Sequence, residues 1–125
     1  MSPNKSAQER RKHPRLFHNI PIKICQDKGD FVTDTVNISR SGAYCRVERP
    51  IEPMTKLKIH LLLPIVRRGK SSTKKITCHG IVVRSEPIAG KEDCHVAIFF
   101  NDISPKDSES IAEYVSQKLE EQNKS

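Results

Sequence analysis

The sequence feature that most constrains the fold is an alternation of polar and apolar side chains that begins at residue 56. The polar members are Lys56, Lys58 and His60, and the apolar members are Leu57, Ile59, Leu61 and Leu63. Successive side chains of a β-strand point to opposite faces, so a period of two indicates a strand with one buried face. The chain is therefore expected to fold around a sheet that packs against a core.

The same period recurs in five further segments, which predicts six strands in all. Apolar residues share one face at Ile20, Ile22 and Ile24, at Val32, Val36 and Ile38 (a strand at about 31–38), at Ala43, Cys45 and Val47, at Ile76, Cys78 and Val82 (about 75–85), and at Val96, Ile98 and Phe100 (about 93–100). Residues 27–30 predict a turn in which Gly29 takes a positive φ. Residues 67–75 carry no acidic residue and are expected to form a basic loop.

The pattern changes from strand to helix after residue 103. Ser104 is a typical N-cap, Pro105 suits the first helical position, and Asp107 follows three residues after the cap. Apolar residues then recur every four positions, at Ile111, Val115 and Leu119. This spacing predicts one helix whose apolar stripe faces the sheet.

These elements fit one mostly β domain, because 125 residues suit a single core. Short strands separated by turns favour antiparallel pairing, and six strands remove their edges by closing into a barrel. We therefore expect a six-stranded antiparallel β-barrel over residues 17–121, with a C-terminal α-helix from about 104. Residues 1–16 are expected to be a flexible basic arm, and residues 122–125 a frayed tail.

The charge of the chain favours anionic partners. There are 22 Lys and Arg residues against 15 Asp and Glu, a formal net charge of +7. The arm is basic, since Glu9 is its single acidic residue. Residues 1–15 have no apolar segment typical of a secretory signal, and the longest apolar run is too short for a membrane span, so a cytoplasmic location is expected.

The cysteine and histidine positions argue against a metal site or an enzyme. The four cysteines, at 25, 45, 78 and 94, form no C-x-x-C pair. Cys78 and Cys94 fall on apolar faces, which favours reduced, buried thiols over a disulfide. The histidines are scattered and no nucleophile motif is recognisable, so we expect no metal, no cofactor and no catalytic residue.

Two short motifs carry the functional interpretation. Arg11 and Arg15 form an R-x-x-x-R preceded by Arg10, and Asn37, Ser39 and Gly42 form an N-x-S-x-x-G between the second and third predicted strands. Each motif alone is weak. Together, in this order, they resemble the PilZ family of cyclic di-GMP receptors over roughly residues 9–115. That family's six-stranded barrel with a C-terminal helix agrees with the predicted elements.

The resemblance implies a ligand clamped between the arm and the barrel surface. The implied ligand-binding residues are Arg10, Arg11, Arg15, Asn37, Ser39, Arg40 and Gly42. An arginine fork matches the O6 and N7 acceptors of guanine, stacks on a purine, or pairs with a phosphate. Asn37 would meet the guanine Watson–Crick edge, the Ser39 hydroxyl a phosphate or the guanine N2, and the Arg40 charge a phosphate. Gly42 would let backbone approach the ligand or adopt a positive φ.

The resemblance also implies a mechanism: the ligand orders the arm, and a downstream protein effector reads the altered surface. Members of the family act on motility, exopolysaccharide secretion and virulence. Two alternatives stay open. A small basic barrel can bind single-stranded nucleic acid through residues 67–75, although such sites usually need exposed aromatic residues. A PilZ-like adaptor would bind no ligand, although all signature positions are filled here.

Overall fold

The structure is a computed structural model, and it describes residues 14–123. Six strands precede one helix: β1 (Pro21–Gln26), β2 (Gly29–Ser39), β3 (Gly42–Val47), β4 (Lys56–Arg67), β5 (Lys70–Pro87), β6 (Cys94–Asp102) and α1 (Pro105–Asn123). All neighbouring strands pair antiparallel, and the sheet closes in the order β1-β2-β3-β6-β5-β4. The mostly β fold with a C-terminal helix is confirmed.

The core fills the inside of this closed sheet. The alternating residues of β1, β3, β4 and β6 point inward as predicted, and Ile22, Ile24, Ile59, Leu61, Leu63 and Ile98 are among those with at most 2% of their surface exposed. Cys78 and Cys94 are buried as expected, and Cys45 is buried with them. The Gly29 turn also has the predicted positive φ, at 132°.

The predicted face of β2 was wrong in part. Val32 is 71% exposed, whereas Thr35 is fully buried. The pairing with β3 shifts between Thr35 and Asn37, so Val36 is an extra residue with no partner in the ladder. Such a β-bulge reverses which positions face the core. Odd-numbered residues therefore face inward before the bulge, and Ile38 faces inward after it.

The expected basic loop at 67–75 was also wrong. β4 runs to Arg67 and β5 begins at Lys70, so a two-residue turn replaces the loop. Arg68 and Gly69 have φ values of 53° and 76°. Two successive positive φ values are typical of the type I′ turn, whose twist matches that of paired strands.

The β4–β5 hairpin extends beyond the closed ring. β1 pairs with β4 as far as Leu61, and β6 pairs with β5 from His79 onward. The outer parts of β4 and β5, residues 62–67 and 70–78, are therefore paired only with each other among the described strands. α1 packs on one side of this extension, where Lys74 Nζ lies 2.7 Å from Ser110 Oγ and 3.6 Å from Asp107 Oδ1.

The helix begins as the sequence predicts. The Asp107 backbone N–H donates to Ser104 Oγ at 3.1 Å, which is the expected N-cap bond. Ile111 and Val115 are buried against the barrel, and Tyr114, which the four-residue spacing did not include, is buried beside them. Within residues 14–123, no helix has the length and apolar character needed to span a membrane.

Candidate functional site

The base of the predicted arm is attached to the barrel through Leu16. Its backbone N–H donates to the Ile38 carbonyl at 2.8 Å, and the Ile38 N–H donates to the Leu16 carbonyl at 2.9 Å. The Leu16 side chain is fully buried. This short antiparallel bridge holds the neighbouring Arg15 next to the second half of β2.

The structure brings the two sequence motifs into direct contact. Arg15 Nη1 donates to Asn37 Oδ1 at 2.8 Å. Asn37 is only 9% exposed, so this charge-assisted bond is partly shielded from water. The second arginine of R-x-x-x-R and the asparagine of N-x-S-x-x-G therefore lie side by side. Arg10 and Arg11, the other predicted arm residues, lie outside the described residues.

The β2 bulge sets the direction of Asn37. With Val36 as the extra residue, Asn37 stands opposite Tyr44 on the outer side of the sheet, while Ile38 pairs with Ala43 on the inner side. The buried Thr35 just before the bulge keeps its hydroxyl bonded, since Oγ1 donates to the His18 carbonyl at 2.7 Å. A regular ladder would turn Asn37 toward the core.

Ser39 lies on the same side of β2 as Asn37, but the β2–β3 turn covers it completely. Its side chain has no exposed area. Ser39 Oγ accepts the Ser41 backbone N–H at 3.2 Å and lies 3.0 Å from Ser41 Oγ. These bonds hold the turn between β2 and β3, so the observed role of this hydroxyl is to shape the loop.

Of the two reasons predicted for glycine at position 42, the positive φ is wrong, and the structure shows a further reason. The glycines with positive φ among the described residues are Gly29, Gly69 and Gly90, so Gly42 needs no special backbone angle. A Cβ atom at Gly42 would lie 2.2 Å from the Ile98 carbonyl oxygen. Glycine is required here because β3 and β6 approach closely.

Arg40 connects the motif to the C-terminal helix. Its Nε donates to Ser108 Oγ at 3.3 Å, and its Nη2 lies 3.4 Å from Glu109 Oε2. The side chain stays 38% exposed, so its charge also faces solvent. A ligand phosphate that attracted Arg40 would compete with the first turn of α1.

Sequence reasoning missed two aromatic residues that border this surface. Tyr44 donates through its hydroxyl to Glu86 Oε1 at 3.0 Å, and its ring lies 4.9 Å from that of His95. Phe99 is 50% exposed and stands opposite Gly42 in the β3–β6 ladder. Their outward positions in alternating strands were the signal available in the sequence, because their neighbours Ala43, Cys45, Ile98 and Phe100 point inward.

Two cavities lie away from the contact between Arg15 and Asn37. One of about 860 Å³ lies between the β1–β2 turn and residues 46–56. Another of about 480 Å³ lies where residues 25–27 meet Lys56, His79 and Asp102. Neither is lined by Arg15, Asn37 or Gly42. Within residues 14–123, no cluster of three His, Cys, Asp or Glu side chains is arranged to hold a metal ion.

Solved structures with a similar fold are small β domains or parts of larger proteins. Bacillus subtilis inhibitor of motility (MotI/DgrA) is 19% identical with a TM-score of 0.77, over 93% of this chain and 53% of that one. Klebsiella pneumoniae MrkH is 18% identical with a TM-score of 0.65, over 90% and 51%. The chain thus spans about half the length of these two proteins.

The Escherichia coli YcgR PilZ domain, solved with c-di-GMP, is 11% identical with a TM-score of 0.58, over 93% of this chain and 99% of that domain. At these identities the likeness establishes the fold. No curated protein sequence matches the chain. The family model of the PilZ domain matches residues 9–117, which include both motifs and the whole barrel. The chain therefore belongs to the PilZ domain family, the family of cyclic di-GMP receptors.

Proposed function

We propose that this protein is a receptor that binds cyclic di-GMP on the outer surface of its barrel, between the arm and the N-x-S-x-x-G segment. The observation that carries the proposal is the 2.8 Å bond between Arg15 Nη1 and Asn37 Oδ1. Family membership supports the ligand class. The contact supports the location, because residues far apart in sequence meet where the two family motifs would have to act together.

The two residues of this contact have complementary roles in the proposal. Asn37 Oδ1 orients the Arg15 guanidinium, whose planar fork matches guanine O6 and N7 or a phosphate. A carbonyl oxygen has two lone pairs, so Asn37 retains an acceptor for a guanine N–H. Arg10 and Arg11 would add charge-assisted bonds from the arm, and Arg40 would add a positive charge at the β2–β3 turn.

The barrel surface beside this contact suits a planar base. Gly42, between Ser39 and Phe99 in the sheet, adds no side chain, and the half-exposed Phe99 ring presents an aromatic face. Stacking of a base on an exposed aromatic ring is favourable for any nucleobase. Ser39 contributes indirectly, by holding the turn that carries Arg40.

The proposed output is a change of surface rather than a reaction. Ligand bonds to the arm would fix residues 10–15 over the barrel, and ordering costs roughly 1–2 kcal/mol per backbone residue. Several charge-assisted bonds must form at once to offset that cost. A partner protein that reads the ordered arm would transmit the signal in the cytoplasm.

The test is calorimetric titration of the protein with cyclic di-GMP, with GTP as a ligand control. Arg15→Ala and Asn37→Ala are expected to weaken binding, Arg15→Ala by about 10-fold to 100-fold, since a bond to a charged group contributes about 1.5–3 kcal/mol. Arg49→Ala, at an exposed position away from the site, is the matched control and should bind normally.

If Arg49→Ala and Arg15→Ala weaken the affinity for cyclic di-GMP equally, the proposed site is wrong. No heat, together with an unchanged melting temperature in excess ligand, would contradict ligand binding altogether. That outcome would favour the adaptor interpretation, and saturable binding of an oligonucleotide instead would favour the nucleic-acid one.

A further inference from the structure

A long stretch of the chain contains basic residues and no acidic ones. No Asp or Glu occurs between Glu52 and Glu86. The basic residues of this stretch are Lys56, Lys58, Arg67, Arg68, Lys70, Lys74, Lys75 and Arg84. Most of it folds into β4 and β5, so the positive charge is concentrated on the hairpin that extends beyond the barrel.

The two faces of this extension differ. One face packs against α1, and there Lys74 is neutralised by Asp107 at 3.6 Å. On the other face Leu62 is 43% and Val66 is 55% exposed, although both are aliphatic. The strand register places Lys75 opposite Leu62. The outer face is thus a short apolar stripe beside Lys75, and Arg67, Arg68 and Lys70 lie at the tip of the hairpin.

Among the described residues, the cations of the tip and outer face form no ion pairs, although Glu113 of α1 lines the same small cavity as Arg67. Within residues 14–123, no carboxylate lies within 4.0 Å of a charged nitrogen of Arg67, Arg68, Lys70 or Lys75. Arg67, Arg68 and Lys70 are all exposed. The pKa of His60 on this face is lowered by burial and then by Lys75, Lys58 and Lys23, with Asp30 opposing the shift in part.

The composition of this face distinguishes among anionic partners. Between residues 55 and 98 there is no Phe, Tyr, Trp or Met. Protein interfaces are enriched in aromatic residues and depleted of lysine, and single-stranded nucleic acids bind on aromatic stacking surfaces. Binding to an anionic bilayer does not depend on aromatic residues. Diffuse positive charge attracts the headgroups, and exposed aliphatic side chains enter the interface.

We propose that the β4–β5 hairpin docks this protein on an anionic lipid surface, with Arg67, Arg68 and Lys70 at the headgroups and Leu62 and Val66 in the interface. This surface is separate from the proposed nucleotide site and uses none of its residues. β4 has 12 residues, so its tip lies about 40 Å from its start at ~3.3 Å per residue. The barrel and its arm would remain in solution.

The first experiment is sedimentation with phosphatidylcholine vesicles that do or do not contain phosphatidylglycerol. The protein is expected to bind the anionic vesicles and to be released by high salt. The variant R67Q/R68Q/K70Q is expected to bind on the order of 100-fold more weakly, at a factor of about five per basic residue. The control K28Q/R49Q/K56Q loses the same charge at the opposite end of the barrel, beside the 860 Å³ cavity, and should bind nearly as well as wild type.

A second experiment reports on the apolar stripe. The chain has no tryptophan, so V66W introduces a single indole. Its emission should shift to the blue with anionic vesicles, because the indole leaves water. The matched control is V83W, at a position that is also 55% exposed but lies in β5 beyond the partner of Lys56, at the end opposite to the hairpin tip, and its emission should not change.

If R67Q/R68Q/K70Q and K28Q/R49Q/K56Q lose vesicle binding equally, net charge alone causes the adsorption and the proposal is overturned. So would the absence of vesicle binding by a protein whose melting temperature is normal. Hairpin-dependent binding to polyglutamate or to an oligothymidylate, without binding to vesicles, would assign the surface to an acidic protein or a nucleic acid instead.

Discussion

At the scale of single residues, two positions of the N-x-S-x-x-G motif, Asn37 and Gly42, serve different purposes. Asn37 lies on the outer side of the sheet and contacts Arg15. Gly42, five positions later, is determined by the backbone of β6, because any Cβ would meet the Ile98 carbonyl. A family signature can therefore combine a residue that suits ligand binding with one that allows the strands to pair.

Replacing Gly42 with alanine is expected to destabilise the protein by about 1–3 kcal/mol, because overpacking forces the backbone to shift. Chemical denaturation measures the change. Ser72→Ala, at an exposed position of β5, is the comparison and should change the free energy of unfolding by about 0.5 kcal/mol or less. The expectation is wrong if Ser72→Ala costs as much as Gly42→Ala.

The buried thiols are expected to be inert in the folded protein. Burial raises the pKa of Cys45 and Cys78 to about 12. The thiolate is the reactive form, so at pH 8 an alkylating reagent should label the half-buried Cys25 first. Mass spectrometry after brief labelling reports the order, and complete labelling in denaturant is the control.

The same shifts give a pH dependence of stability. Each folded pKa lies above the unfolded value, so the stabilisation is present below about pH 8.5 and is lost as the pH rises toward 12. Cys45→Ala should reduce the loss of stability between these pH values. Equal alkaline slopes in the variant and the wild type would contradict the assignment.

At the scale of elements, the β2–β3 turn and α1 are connected through one arginine. Arg40 bonds to Ser108 and pairs with Glu109 in the first turns of the helix. The segment that follows the arm contacts the same helix, since His18 Nδ1 and the Tyr114 hydroxyl are hydrogen-bonded and their rings stack at 5.9 Å. The helix is therefore connected to the chain on both sides of the proposed ligand site.

Glu109→Gln is expected to strengthen cyclic di-GMP binding by up to about fivefold, because an exposed ion pair of up to about 1 kcal/mol no longer competes for Arg40. Calorimetry at low salt measures the effect. Glu113→Gln removes the same charge one turn later and should have a smaller effect. If both variants raise the affinity equally, the cause is net charge rather than release of Arg40.

At the scale of the whole molecule, closure of the sheet decides which residues are core and which are surface. The ring has no free edge, whereas the hairpin beyond it has two. Pro64 lies in the part of β4 that is not paired with β1. Its backbone lacks an N–H group, but at this free edge no second strand would accept a hydrogen bond from it. At the other free edge, which β5 forms, lysine side chains discourage pairing with a further strand.

Two adjacent leucines test this arrangement. Leu61 is fully buried in the ring, and Leu62 is 43% exposed on the hairpin. Leu61→Ala is expected to cost about 2–5 kcal/mol through the cavity it leaves, and Leu62→Ala about 0.5 kcal/mol or less. Thermal and urea unfolding compare the two. Similar costs would mean that Leu62 also packs in the core.

Much of the fold and part of the site were predictable from local patterns. The alternation in β1, β3, β4 and β6 identified the inward faces, because burial acts on each strand in the same way wherever it pairs. Ser104 and Pro105 marked the helix start, because capping depends on the nearest residues. The two motifs identified the family and named Arg15 and Asn37 as site residues.

Other features depend on contacts between segments that the local pattern does not specify. The bulge at Val36 reverses the faces of β2 because β3 fixes its register, and this reversal places Asn37 beside Arg15. The strand pairing of residues 67–75 follows from their β4 partners rather than from their polar composition. The requirement for glycine at 42 likewise arises when β3 pairs with β6, since steric contact is set by distance in space and not by distance along the chain.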